Sequence, residues 1–394
     1  MEDVVVVSAA RTAVGDFGGS LKSLTPTEMG AETAKVAIER AGIDASDVNQ
    51  AFYGNVIHTE ARDMYVSRTT ALEAGVPEHA PALTVNRLCG SGLQAIVSGI
   101  QVIALGDADV VLAGGTESMS RAAYTIPSAR WGQRLGDADM TDMMTAALHD
   151  PFGHGHMGVT AENVAEKYQI SRERQDEFAV ESHRRAANAI SEGRFSEQIV
   201  PLTIKSRKGE TVFDTDEHVR PNASMEDLAK LRTVFKKDGK VTAGNASGLN
   251  DGASSLILMN EKAARERGLK PMAKVMAYGH AGVDPRYMGI GPVPAMQVAL
   301  KKAGLEAADL DVIESNEAFA AQACAVSDQL GLNPEKVNPN GGAVAIGHPI
   351  GASGAIITTK LLYEMKRTNA EMGAATMCIG GGQGIALIVK AYDA

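Results

Sequence analysis

The chain has 394 residues, 44% of them hydrophobic and 22% charged, which is enough to bury more than one ordinary core. Its formal net charge of −10, with no long run of Lys and Arg, argues against a general nucleic-acid binder. The cysteines at 89, 324 and 378 form no CxxC pair, so neither a disulfide framework nor a structural zinc site is supported and a reducing compartment fits best.

The first predicted strand, Asp3 to Ser8 around Val4-Val5-Val6-Val7, begins without a leader pattern. No apolar stretch is read as reaching about 18 residues, and the chain is expected to be cytoplasmic with no membrane association. Thr25-Pro26-Thr27-Glu28 has the form of a helix start: a capping hydroxyl, Pro at the first helical position and a carboxylate three residues on. That helix is expected to run to Gly42, with a strand near Phe52 after it. Ala82 to Val85 reads as another strand, and Gly90-Ser91-Gly92-Leu93 opens a helix whose apolar spacing (Leu93, Ile96, Val97, Ile100) marks it as buried. The alternation predicts a βαβ layered α/β fold.

From 119 to 248 the chain is more polar and more helical and holds its single Trp, Trp131, so it reads as an inserted domain. Residues 249–270 return to the first unit, 1–118, and 271–394 form a second α/β unit. Strands are expected there near Lys274 to Tyr278, Val312 to Ser315, Thr376 to Ile379 and Ile385 to Val389. Its order echoes the first unit: Val85-Asn86, Gly90-Ser91-Gly92 and Gly114-Gly115 are answered by Val337-Asn338, Ala352-Ser353-Gly354 and Ile379-Gly380-Gly381. The echo suggests two similar halves.

Three residues stand out for chemistry. Cys89 falls at the start of the buried helix, where unpaired N–H groups and the helix dipole favour thiolate; its other reading is a buried structural thiol. His348 lies in the Gly- and Pro-rich stretch Gly341 to Gly354, a place for a chemical histidine or for a hydrogen-bonded loop histidine. Cys378 ends a strand before Gly380-Gly381-Gly382-Gln383-Gly384, whose exposed backbone N–H groups suit an oxyanion. Two thiols and a histidine on three Gly-rich loops fit Claisen-type acyl chemistry. Cys324, among small residues of an apparent buried helix, is read as core.

Four blocks carry a resemblance: Asn86-Arg87-Leu88-Cys89-Gly90-Ser91-Gly92, Asn316-Glu317-Ala318-Phe319-Ala320, Gly347-His348-Pro349-Ile350-Gly351 and Cys378-Ile379-Gly380-Gly381-Gly382-Gln383-Gly384. In this order they resemble the signature blocks of thiolases, closest to bacterial acetyl-CoA acetyltransferases and broad-range β-ketothiolases, and the likeness runs from Ser8-Ala9-Ala10-Arg11-Thr12 to the last strand. The resemblance implies a five-layer αβαβα thiolase fold and an acyltransferase. It implies that Cys89 carries the acyl group after losing its proton to His348, that Cys378 deprotonates the second acetyl-CoA, and that oxyanions are held by His348 with a water on Asn316 and by the N–H groups of Cys89 and Gly380. It also places coenzyme A, as substrate and product, against Leu148, His156, Met157, Arg220, Phe235, Ala243, Ser247, Met288, Ala318 and Phe319, with no metal and no tightly bound cofactor. The cluster Arg232, Lys236, Lys237 and Lys240 reads equally as solvated surface.

Glu60-Ala61-Arg62-Asp63-Met64-Tyr65 departs from the short-chain biosynthetic members, so substrates longer than acetoacetyl-CoA are expected. The apolar, Met-rich stretch Met119 to Met144 resembles the loop that pairs dimers, implying a homotetramer. Competing readings are a decarboxylating ketoacyl synthase, which would carry a second histidine at Cys378, a longer-chain degradative 3-ketoacyl-CoA thiolase, a non-catalytic acyl-CoA carrier of the same fold, and a thiol redox protein.

Overall fold

The computed structural model describes residues 2–207 and 209–392. Numbering the principal elements in chain order, the chain begins with β1 (Val4–Thr12), α1 (Pro26–Ala41), β2 (Gln50–Gly54), α2 (Val66–Glu73), β3 (Ala82–Val85), α3 (Ser91–Leu105) and β4 (Val110–Ser118). The stretch before β5 (Asn250–Asn260) contains α4 (Met157–Lys167) and α5 (Arg172–Ser191). Then come β6 (Ala273–Gly282), α6 (Pro292–Ala303), β7 (Val312–Ser315), α7 (Ala320–Leu330), α8 (Ser353–Thr368), β8 (Met372–Ile379) and β9 (Gln383–Ala391).

Local chemistry starts and stops these elements where the sequence predicts. Thr25 Oγ1 accepts from the Glu28 amide at 3.2 Å while the Glu28 carboxylate accepts from the Thr25 amide at 2.8 Å, and α1 ends at Gly42 with φ 68°. Cys324 is buried within α7.

The strands lie in the order β3-β2-β4-β5-β1-β6-β9-β8-β7. Each half runs the same way: β2 is parallel to β3 and β4, and β4, β5 and β1 alternate antiparallel. On the other side β7 is parallel to β8, and β8, β9 and β6 alternate antiparallel. Val337 bridges Ile313 in parallel, where the first half has β3. The halves join edge to edge where Val5 and Val6 face Lys274 and Ala273.

Helices complete five layers. α1 covers β1, β4 and β5 on one outer face, and α6 covers β6 and β9 on the other. Between the halves, α3 packs on β2 and β4 and reaches β9, while α8 packs on β7 and β8 and reaches β5. Leu93, Ile96, Ile100, Leu361 and Met365 fill this shared core with side chains of both halves. Such two-sided burial corrects the expectation about apolar stretches: Leu88–Leu105 is an 18-residue window with mean hydropathy 1.6, apolar because sheet or helix lies on both sides of it.

α3 and α8 meet backbone to backbone. A Cβ on Gly92 would lie 2.8 Å from the Ala355 nitrogen, and one on Gly354 would lie 2.2 Å from the Leu93 nitrogen. These glycines occupy matching places in the sequence echo. Gly354→Ala is therefore expected to destabilise the fold by about 3 kcal/mol, the top of the usual overpacking range. Thr25→Ala, which removes one cap, should cost about 1 kcal/mol. Urea titration of both variants checks this, and similar small losses would mean that the helices separate freely.

Candidate active site

Two loops and a strand end bring the chemical residues together. Cys89 sits between β3 and α3, just after Leu88, which is held at φ 46°. The Leu88 amide donates to Asn86 Oδ1 at 3.0 Å, and the Ser91 hydroxyl donates to the Leu88 carbonyl at 2.6 Å. These bonds hold a backbone conformation that leucine adopts only under constraint. His348 follows Gly347, whose φ of 112° leaves no room for a side chain against Asn250. Asn250 Oδ1 accepts the His348 amide at 2.8 Å. Cys378 is fixed by the ladder between β8 and β9, opposite Gly384.

The imidazole of His348 is oriented from both sides. Its Nδ1 lies 2.6 Å from Ser353 Oγ, and the Ser353 hydroxyl donates to the Pro349 carbonyl at 2.9 Å. With that proton committed, Nδ1–H donates to Ser353 and Nε2 keeps its lone pair. Asn316 Nδ2 stands 3.5 Å from Nε2, while Asn316 Oδ1 is buried without a protein partner.

Cys89, His348, Cys378 and Gly380 line one cavity of about 420 Å³. Leu148, His156, Met157, Arg220, Phe235, Ala243, Ser247, Met288, Ala318 and Phe319 line it too. Asn316 is not in its wall and stands behind His348. His156 caps α4 by accepting from the Gly158 amide at 3.0 Å, and its ring stacks on Phe235 with centroids 4.7 Å apart. Arg220 is exposed at the rim. Within the basic cluster, Lys236 pairs with Glu166 at 3.0 Å and Lys240 donates to the Ile170 carbonyl at 3.1 Å. None of residues 60–65 lines the cavity within one chain.

The structure adds residues that sequence reading missed. Met119, Met144, Leu249 and Ile350 line the cavity, and Asn250 and Ser353 hold His348. Ser353 had a signal, since it occupies the place of Ser91 in the echo. Glu117, at the end of β4, had none: its carboxylate accepts from the amides of Val56, Ile57 and Gly351 at 2.8–3.1 Å and from Asn55 Nδ2, tying the His348 loop to the first half.

Comparison with known proteins settles the family. The model of the thiolase N-terminal domain matches residues 4–262 and that of the thiolase C-terminal domain matches 269–391. The chain belongs to the thiolase family. It is 62% identical over 389 residues to the beta-ketothiolase BktB of Cupriavidus necator, covering 98% of this chain and 99% of that one. Among solved structures it is similar to the Bacillus anthracis acetyl-CoA acetyltransferase, with a TM-score of 0.98 at 47% identity over 100% of this chain and 99% of the other. It also matches human mitochondrial 3-ketoacyl-CoA thiolase in complex with CoA, with a TM-score of 0.96 at 44% identity over 100% and 98%. The chain is thus an acyltransferase.

Electrostatics correct one expectation about this thiolase site. Burial pushes the Cys89 thiol up to about 11, outweighing the amides of Gly380 and of Cys89 itself that favour the thiolate, and buried Glu117 raises it further. The helix dipole does not prevail because Cys89 lies two residues before α3, in a desolvated cavity. Burial also raises the Cys378 thiol, with Cys89 beside it adding to the effect, and burial lowers His348 to about 4. Glu117 is raised to about 8 by burial against the pull of its three amides. Burial thus favours the uncharged forms of both thiols and of the imidazole.

Because the thiolate is the nucleophile, alkylation of Cys89 by iodoacetamide should rise about tenfold per pH unit from pH 6 to 9. Peptide mapping of the alkylated thiol measures this. A rate flat across that range would reveal a preformed thiolate–imidazolium pair instead.

Proposed function

We propose that this chain catalyses reversible thiolysis of 3-ketoacyl-CoA, equivalently the Claisen condensation of two acyl-CoA units, through an acyl thioester on Cys89. The observation that carries the reading is that Cys89, His348, Cys378 and the Gly380 backbone all line one cavity. The likeness to a beta-ketothiolase and to a thiolase complexed with CoA supports the substrate class.

In thiolysis, His348 Nε2 takes the Cys89 proton and the sulfur attacks the C3 carbonyl. The C2–C3 bond breaks, its electron pair passes to C2 as the enolate of acetyl-CoA, and the Cys378 thiol protonates that carbon. The Cys378 thiolate then takes the proton of free CoA, whose sulfur attacks the Cys89 thioester and leaves as the shortened acyl-CoA, while the departing Cys89 sulfur takes its proton back from His348. Negative charge on the two carbonyl oxygens develops near donors in fixed positions. Asn316 with His348 Nε2 serves one oxygen, through a water on the asparagine amide, and the N–H groups of Cys89 and Gly380 serve the other. Each such donor set contributes about 10²–10³ in rate. Raised thiol pKa values suit Cys378 for this task, since a thiol that resists ionisation gives a strong base once ionised.

Coenzyme A lies between the cap of α4 and the loop before β5. His156, Met157, Phe235, Ala243, Ser247 and Leu148 face its pantetheine arm, Arg220 attracts its phosphates, and Met288, Ala318 and Phe319 close the acyl end. The three free thiols suit a reducing cytoplasm. The enzyme acts on acetoacetyl-CoA and on homologues with one or more further carbons.

Wild type is expected to cleave acetoacetyl-CoA and 3-ketovaleryl-CoA when CoA is added. Cys89→Ala should be inactive and never acylated by intact mass. Cys378→Ser should still accept the acyl group from an acyl-CoA yet turn over at least about 100-fold more slowly. An active Cys89→Ala enzyme would sink the mechanism, and no cleavage of 3-ketovaleryl-CoA would confine it to the shortest substrate.

The chain assembles as a dimer of dimers. Tyr124, Trp131, Leu135 and Met140 are exposed, Trp131 by 88% and Leu135 by 93%, on the segment around the small Tyr124–Thr125 and Thr141–Asp142 ladder. Apolar side chains this exposed need a partner surface. Light scattering should report four chains, dropping to two when Trp131 and Leu135 are both replaced by Ser; a wild-type dimer would refute the assignment.

A further inference from the structure

Thiolysis divides its substrate unequally between the two cysteines, and this inference rests on that proposed reaction. The carbons from C3 outward leave on Cys89, so every extra methylene of a longer substrate is carried there. The unit beside Cys378 is always the same acetyl group. Chain length is therefore judged by the surroundings of Cys89 alone.

The structure gives the cysteines separate apolar surroundings. Cys378 belongs to a cluster with Met157, Met288 and Phe319. Cys89 packs against a different cluster, formed by Met119 and Ile350 with Met144, Leu148 and Leu249 against it. Those five side chains all face the cavity.

They are not equally free to move. Ile350 is buried and β-branched, on the loop that Glu117 anchors through Gly351. Met119 is 1% exposed, and its sulfur accepts from the Asn250 amide at 3.4 Å. Met144 is only half-buried, on the short helix Met143–Ala147 that follows the exposed segment. An unbranched thioether chain with several rotatable bonds can swing aside to admit a longer tail.

We infer that Met144 is the chain-length gate of this enzyme, a specificity-determining side chain that yields to the tail of the Cys89 acyl group while Met119 and Ile350 form the fixed wall behind it. A methylene in an apolar site is typically worth about 10- to 200-fold in kcat/KM. That range sets the size of the effect.

The test measures kcat/KM for acetoacetyl-, 3-ketovaleryl- and 3-ketohexanoyl-CoA with wild type, Met144→Phe, Met144→Ala and Met288→Phe. Met144→Phe should lower the ketohexanoyl-to-acetoacetyl ratio at least about tenfold, and Met144→Ala should raise it. Met288→Phe, on the Cys378 side, should depress all three substrates together and leave the ratio near wild type. Unchanged ratios in both Met144 variants, or a ratio that follows Met288 instead, overturns the gate while leaving the reaction intact. Wild type inactive on all three substrates would overturn the reaction beneath it. Because the Phe and Ala variants must move the ratio in opposite directions, general damage to the fold does not imitate the result.

Discussion

The contact on which the rest of the molecule depends is the backbone approach of α3 and α8 at Gly92 and Gly354. Each helix begins immediately after a loop that carries chemistry, Cys89 before one and His348 before the other. The approach of the two helix starts therefore sets how the Cys89 and His348 loops stand to one another. Misplacing reacting groups by about 1 Å costs on the order of 100-fold in rate, and any side chain between these helices would impose a shift of that size. The matching serines stiffen the same design, Ser91 holding the Leu88 carbonyl and Ser353 holding the His348 ring.

A second constraint follows from depth. Enclosing two thiols and an imidazole raises the first two and lowers the third, so burial favours the uncharged form of all three. The site gives up a preformed thiolate, but it avoids holding two neighbouring negative sulfurs in a dry cavity. In the proposed reaction, charge appears only when substrate brings a carbonyl to the fixed donors, the arrangement in which preorganised dipoles act most strongly. Glu117 works in the same direction, since its carboxylate accepts from three amides and from Asn55 Nδ2 and its charge adds to the rise of the Cys89 thiol.

Local features of the sequence were legible because short-range physics fixes them. The cap at Thr25 and Glu28, the stop at Gly42 and the buried face of α3 need only neighbouring residues, and the repeated Gly-Ser-Gly and Ala-Ser-Gly turns mark the two halves within the chain itself. What was hidden depends on distant partners. Glu117 gathers amides from residues 56, 57 and 351, and Asn250 reaches the His348 amide across 98 positions. The ionisation of Cys89 was misjudged for the same reason: its helix is local, whereas its burial is global. So was the apolar length of α3, which a one-sided reading of helices underestimates.

Symmetry explains the floor of the cavity, and its breaking explains the different surroundings of the two thiols. The two halves supply equivalent loops, yet the long stretch between β4 and β5 belongs to one half only and roofs the cavity with Met144, Leu148, His156, Phe235 and Ser247. The second half contributes Met288, Ala318 and Phe319 to the side of Cys378. The inserted stretch also reaches Cys378, through Met157, Ala246 and Phe235, but it sets different side chains beside Cys89, among them Met144, Leu148 and Leu249, so the two thiols lie in different apolar surroundings. In the proposed reaction, one cysteine can then carry a variable acyl group while the other meets a constant one. A fully symmetric pair of halves would offer both thiols the same surroundings and could not separate those tasks.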